Sequence, residues 1–363
     1  MIRKACPKTD VSRLEPTVGF AGGGLFLSRE TFAPSTEFSP DDLLSAQSRV
    51  FMNDETGPET TDPIPTLAGP TAVGKTEVSL ELAEALDAEI VSVDSRQIYE
   101  ELTIGTAKPS PDALKRVPHH FIGERSVQNP ISAGDYADEA NRRIRDIRDR
   151  GRTPLVVGGA TLYLHALQYG LADIPDVDDE VRDWLEERLD REGPEALYRE
   201  LQEVDPTQAE KNDPTKTQRV IRALEVYHGT GKPLTYYHEN QPEPPFSYTT
   251  VVLNRDRDRL YDCINRRVDR MLEDGLLNEV REVMEIDDVQ LDEPPLSTIG
   301  YREPIQHLRG EIDYDEMVRL VKRNTRRYAK RQLTWFRRYD EYHWRSAPDT
   351  SPSDVLEVLE TAS

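Results

Sequence analysis

Apolar positions along the chain fall into two kinds of pattern. Short, nearly unbroken apolar runs occur at Pro65-Thr66-Leu67-Ala68, Glu89-Ile90-Val91-Ser92-Val93, Thr153-Pro154-Leu155-Val156-Val157 and Thr249-Thr250-Val251-Val252-Leu253. Runs of this length, closed by Gly, Asp or Asn, predict strands buried on both faces. Between them apolar residues return every three or four positions, as Val78, Leu82 and Ala85 do within 77–86, and again over 136–150 and 160–168. That period predicts helices. Strand, helix, strand, helix, strand predicts an α/β fold on a parallel sheet.

The pattern changes near residue 174. Residues 180–191, 194–203 and 214–228 read as helices separated by Gly, Pro and Asp, with no buried run between them. The expected organisation is therefore a P-loop-type α/β core from 63–173 and 249–345, a helical insertion at 174–248 and a tail at 346–363. From Asp258 to Arg337 the core sequence reads as mostly helical. Residues 1–62 lack sustained periodicity and are rich in Pro, Ser, Thr, Gly and acids, so they read as a disordered extension. Met52, shortly before the first strand, is a candidate translational start.

Composition narrows the class. No apolar stretch approaches the ~20 residues a membrane helix needs, and the first residues show no secretory pattern. Two cysteines, Cys6 and Cys263, supply neither a disulfide framework nor a metal spacing. The expectation is a cytoplasmic protein, no membrane partner, and a monomer. A formal net charge of -22 speaks against nucleic acid at first sight. The positive charge is clustered, however: nine basic residues and no acid lie between Arg319 and Arg338. Local field governs phosphate binding more than the global sum. With Tyr328, Trp335 and Phe336 between the cations, this stretch fits an RNA-backbone surface and also a helix with core aromatics.

The segment Gly69-Pro70-Thr71-Ala72-Val73-Gly74-Lys75-Thr76 satisfies G-x-x-x-x-G-K-[ST] at every fixed position, after a strand and before a helix. Such a loop wraps backbone N–H groups around an anion at a helix N-terminus. Lys75 adds a full charge, and the Thr76 hydroxyl is placed to ligate Mg²⁺. The loop predicts a bound di- or triphosphate without saying which, so a small-molecule kinase stays open on this motif alone.

Further segments resemble the tRNA dimethylallyltransferase family. They are Ser92-Val93-Asp94-Ser95-Arg96-Gln97-Ile98-Tyr99, Ile104-Gly105-Thr106-Ala107-Lys108-Pro109, Pro118-His119-His120, Val157-Gly158-Gly159 with Leu162-Tyr163, and Gln218-Arg219 with Arg222-Ala223-Leu224-Glu225-Val226. Gly231-Lys232-Pro233-Leu234, Ile299-Gly300-Tyr301-Arg302-Glu303 and 330–337 complete the resemblance, which runs in order from about Thr66 to Trp344. It implies transfer of a dimethylallyl group from dimethylallyl diphosphate to N6 of adenosine at tRNA position 37, in tRNAs reading codons that begin with U. Partners would be the tRNA anticodon stem-loop and the allylic diphosphate, with Mg²⁺ as cofactor.

The same resemblance assigns roles. Residues 69–76 would hold the diphosphate, with Lys75 and Asp94 catalytic. Asp94 would accept a proton from the adenine amine; a magnesium ligand or a helix cap for the segment starting at Ser95 are the duller readings. Ser95, Arg96, Gln97 and Ala160 would lie against the flipped-out nucleotide. Arg182, Gln218, Arg219, Val220, Ile221 and Arg222 would meet the anticodon arm; a solvated charged face is the bland alternative. His119 and His120 read as strand-end residues, not metal ligands. Two positions depart from the family pattern. Ala160 stands where Gly-Gly-Thr is usual, with Thr161 one residue (about 100° of helix) further on. Cys263 stands where an arginine is usual, with Arg266 and Arg267 the nearest replacement cations. These departures motivate a second reading, a catalytically impaired tRNA-binding paralogue. A third is an adenylate prenyl transferase acting on free nucleotide.

Overall fold

The structure is a computed structural model that describes residues 62–292, 294–347 and 350–361. The extension expected at 1–62 and the start at Met52 lie outside the described residues, Asp62 excepted. Six strands form one sheet: β1 (Ile64–Ala68), β2 (Ala88–Val93), β3 (His119–His120), β4 (Thr153–Gly158), β5 (Tyr248–Asn254) and β6 (His343–Ser346). Their spatial order is β3-β2-β4-β1-β5-β6, and every pairing is parallel. The protein is thus α/β on a wholly parallel sheet. The four apolar runs are its interior strands. The edge strands β3 and β6 are short and half-buried, so neither carries the apolar run that marks a buried strand.

Helices cover both faces of the sheet. Side chains alternate along each strand, so Val91 and Val93 face one way and Ile90 the other. The first face packs Val91, Val93 and Val156 with Ile144, Ile147, Leu164 and Leu167, from α3 (Ala133–Asp149) and α4 (Thr161–Tyr169). The second packs Leu67, Ile90, Leu155 and Val251 with Leu80, Leu82, Leu260 and Ile264, from α1 (Lys75–Ala85) and α10 (Arg257–Glu273). The short α2 (Pro111–Arg116) joins β2 to β3. After α10 come α11 (Leu276–Met284), α12 (Arg302–Leu308) and the 23-residue α13 (Tyr314–Phe336).

The segment read as a tail carries a helix, α14 (Pro352–Thr361), which begins at a proline. Its Val355, Val358 and Leu359, spaced to share one face, are buried in the second core beside α1 and β5.

Between α4 and β5 run α5 (Asp179–Glu192), α6 (Pro194–Val204), α7 (Pro206–Glu210), α8 (Thr217–Thr230) and α9 (Leu234–Glu239). They enclose a separate core of Leu185, Leu197, Leu201, Val220, Ile221 and Leu224. The five- and six-residue α7 and α9 are too short to show a helical period. Asp205 links them: its carboxylate caps Gln208 N–H and accepts from Thr235.

Register decides where chemistry gathers. Ala68 pairs with Gly158, and Gly158 with Val93. The residues that follow, Gly69, Gly159 and Asp94, therefore emerge side by side at the carboxyl edge of the sheet, where parallel sheets hold ligands. Gly158 also closes the spacing, since a Cβ there would lie 2.1 Å from the Val93 carbonyl oxygen. Gly158→Ala should lower stability by about 3 kcal/mol. Urea unfolding should show a lower midpoint with an unchanged m-value.

Candidate active site at the carboxyl edge of the sheet

The loop 69–76 turns from β1 into α1. Ala72 and Gly74 have φ of 62° and 111°, the conformation that turns successive N–H groups to one side. The N–H groups of 72–74 find no acceptor among the described residues. Thr71 N–H is different: it donates to Gln332 Oε1 at 3.0 Å, while Gln332 Nε2 donates to Gly159 O at 2.8 Å. Gln332, only 3% exposed, thereby ties α13 to the ends of β1 and β4. Gly159 leaves room for it, since a Cβ there would lie 2.7 Å from Gln332 Nε2.

A cavity of about 720 Å³ opens at this edge. The loop residues 71–76, Asp94, Gln97, Gly159, Arg266, Arg267, Tyr328 and Gln332 are among its lining. Lys75 Nζ donates to Gly69 O and Pro70 O at 2.9 and 3.0 Å. Burial pushes its ammonium pKa down to about 8; the Asp94 carboxylate pulls the other way, and Arg267 adds repulsion. Burial likewise lowers Arg267, against the pull of Asp94, and its guanidinium donates to Thr106 O at 3.1 Å. Burial, with Asp94 nearby, pushes the Tyr328 phenol up to about 12, so it stays a neutral hydroxyl at pH 7.

Asp94 directly follows β2. Its Oδ1 accepts from the N–H groups of Arg96 and Gln97 at 2.9 and 3.2 Å. The helix cap weighed from sequence is not what forms, since 95–98 is a turn and not a helix; Asp94 closes that turn with one oxygen. The other accepts no hydrogen bond among the described residues. The next loop is held by Gln97, whose amide donates to Thr106 O and Ala107 O, and by Glu279 of α11. That buried carboxylate collects the N–H groups of Thr103, Ile104 and Gly105 at 3.0, 2.6 and 3.0 Å and the Tyr301 hydroxyl at 2.6 Å. Sequence reasoning gave no role to Glu279 or Gln332. Their signal was a polar residue on an otherwise apolar helix stripe, Glu279 among Leu276, Val280 and Val283, and Gln332 between Ala329 and Phe336.

The other expected site residues are placed as follows. Arg96 donates to Ser95 O at 2.8 Å, and its Nε is buried without a partner. Ala160 is the N-cap of α4 and buried; neither it nor Thr161 lines the cavity. Arg182 NH2 donates to Gln218 Oε1 at 2.9 Å, and Arg182 and Arg222 both pair with Glu225 at 3.4 and 2.8 Å. Gln218, Arg219 and Arg222 are exposed on α8. Val220 and Ile221 are not on that surface: they are 2% and 0% exposed within the helical core, because adjacent helix positions point about 100° apart. In α13, Arg319 pairs with Glu316 and Lys322 with Asp269. Arg327, Lys330, Arg331, Arg337 and Arg338 pair with no acid among the described residues. His119 and His120 form β3; His120 bonds Glu89 at 2.8 Å.

Oxygen donors are available for a hard cation. Thr76 and Asp94 both line the cavity, and their oxygens are of the kind Mg²⁺ takes together with phosphate oxygens and water. Among the described residues there is no cluster of three or more His, Cys, Asp or Glu that could hold a metal ion. No helix among the described residues is long and apolar enough to cross a membrane.

A G-x-x-x-x-G-K-T loop between β1 and α1 of a parallel sheet, with a carboxylate at the end of β2, defines a P-loop α/β protein. The family model for IPP transferase matches residues 97–339, and the chain belongs to that family. A tRNA dimethylallyltransferase of Salinibacter ruber is 78% identical over 305 residues, covering 84% of this chain and 94% of the relative. The enzyme of that name from Chlorobaculum parvum is 43% identical, covering 79% and 93%. The solved tRNA isopentenylpyrophosphate transferase of Bacillus halodurans superposes with a TM-score of 0.60 at 37% identity, covering 83% of this chain and 96% of its own. A eukaryotic dimethylallyltransferase acting on tRNA gives 0.68 at 27% identity, covering 80% and 75%.

Lys75 yields a pH prediction. A bound anion restores its ordinary pKa, so above about 8 the complex retains a proton that the free protein has lost. Affinity for a diphosphate should be level below pH 8 and fall as pH rises beyond it. Titration calorimetry in buffers of different ionisation enthalpy should show proton uptake there, and Lys75→Arg should abolish it.

Proposed function

We propose that the protein transfers a dimethylallyl group from dimethylallyl diphosphate to N6 of adenosine at position 37, in tRNAs that read codons beginning with U. The observation that carries this reading is a cradle of N–H donors and the crowded cations Lys75 and Arg267, facing a carboxylate with one oxygen unengaged. An anion and an amine proton are what that arrangement complements. The names of the relatives supply the substrates.

In the proposed reaction the bond between the allylic carbon and the diphosphate oxygen breaks, and a bond from adenine N6 to that carbon forms. Negative charge grows on the diphosphate, where the loop N–H groups stand ready and Lys75, folded onto Gly69 O and Pro70 O in the free protein, turns its charge to the leaving group. The unengaged oxygen of Asp94 takes the proton released from N6, while the main-chain bonds to Oδ1 keep the carboxylate aimed. Tyr328, a neutral phenol, lines the same cavity and offers a hydrogen-bond donor there. Thr76 would hold Mg²⁺ with the donor's oxygens, and a bound Mg²⁺ further neutralises the leaving group.

In this reading Ser95, Arg96 and Gln97 line the path of the extruded base, and the buried Ala160 serves from behind as the N-cap of α4. The helices of 174–248 receive the anticodon arm through Arg182, Gln218, Arg219 and Arg222. Val220 and Ile221 serve by holding α8 in place. The protein would act as a monomer in the cytoplasm.

The test is nucleoside mass spectrometry of unmodified tRNA incubated with the protein and dimethylallyl diphosphate. Prenylated adenosine at position 37 is expected. Lys75→Ala should abolish turnover while sparing most tRNA affinity. Asp94→Asn should lower kcat by about 10²- to 10⁴-fold. Binding of tRNA without any prenylated product would favour the impaired paralogue. Activity that survives removal of 176–246 would favour a free-nucleotide substrate.

A further inference from the structure

One wall of the cavity is formed by α10, which presents Cys263, Arg266, Arg267 and Arg270. Arg267 is committed, bonded to Thr106 O and held in the field of Asp94. Arg266 is not. Its NH2 donates to Cys263 Sγ at 3.5 Å, and it pairs with no acid among the described residues. The same sulfur accepts from Arg255 NH1 at 3.6 Å, while Arg255 NH2 donates to Val73 O in the phosphate loop at 3.3 Å. A single guanidinium therefore spans the gap between the loop and the sulfur on which Arg266 rests.

A cysteine sulfur is a weak acceptor, whereas a phosphate oxygen forms charge-assisted and often bidentate bonds with arginine. Two guanidinium groups converging on one sulfur gain little from it and repel each other. An anion bound in the loop offers Arg266, which lines the cavity, a better partner.

We infer that Arg266 is a diphosphate-binding residue of this chain, resting on Cys263 in the free protein and turning to the leaving group when the donor binds. Arg255 is a positioning residue, bracing Cys263 and the loop from behind. This rests on the proposed function and deepens it by naming a further group that touches the donor. It also gives Cys263 a use, since the small thiol leaves the wall open for an arginine one turn further along α10.

The experiment is calorimetric titration of the full chain with inorganic pyrophosphate and Mg²⁺, beside separate KM values for dimethylallyl diphosphate and tRNA. Arg266→Gln should weaken pyrophosphate binding and raise the donor KM by roughly 10- to 100-fold, the loss of a charge-assisted hydrogen bond. The tRNA KM should stay within about twofold. Arg266→Lys should fall between the two, because it keeps the charge and loses the fork. Cys263→Arg in the Arg266→Ala background should recover most of the affinity by supplying a guanidinium from the wall itself. Arg281→Gln, an exposed charge on α11, controls for general loss of positive field.

If Arg266→Gln binds pyrophosphate like the unaltered protein while Lys75→Ala does not, the assignment of Arg266 falls and the proposed function stands. If the tRNA KM rises as much as the donor KM, Arg266 serves the RNA and the assignment also falls. If the unaltered protein binds no pyrophosphate, the proposed function itself is overturned.

Discussion

The structure is organised around positive charge that the protein leaves uncompensated. Lys75 and Arg267 are held close together where water is scarce, and Asp94 only partly offsets them. Burying like charges is unfavourable unless an opposite charge joins them. The free protein lessens the cost by folding Lys75 back onto two loop carbonyls and Arg267 onto a third. On the proposed function an incoming diphosphate would relieve this crowding, and one carrying still more charge would relieve it further. A preference for the departing state over the bound ester would follow from that gradient.

Nearly everything that shapes this site comes from distant parts of the chain. Gln332 reaches across 261 residues to the phosphate loop, and Glu279 across about 175 to the loop after β2. The carboxyl-terminal helices act as a brace whose contacts are single polar side chains buried in apolar helix faces. Such contacts specify geometry more than they add stability, because an unpaired partner at the same place would be costly.

The interior of the sheet was legible because buried parallel strands leave unbroken apolar runs, and the phosphate loop because its fixed residues are set by backbone geometry. The braces were not. Glu279 and Gln332 interrupt apolar stripes, but one polar residue on a stripe does not say what it will bond. The short strand of His119 and His120 has no pattern of its own and exists through pairing with Ile90 and Val91. The α8 face shows the reverse problem. Five consecutive residues, 218–222, read as one motif along the chain, yet the helix sends Val220 and Ile221 inward while Gln218, Arg219 and Arg222 stay outside.

The docking of α14 has a bearing on how the chain is made. Ribosomal synthesis delivers β1, the loop 69–76 and α1 well before the helix that covers α1. While the intervening chain is made, Leu80 and its neighbours lack part of their shelter. The nascent chain thus keeps an oily seam open beside that loop until α14 arrives to close it.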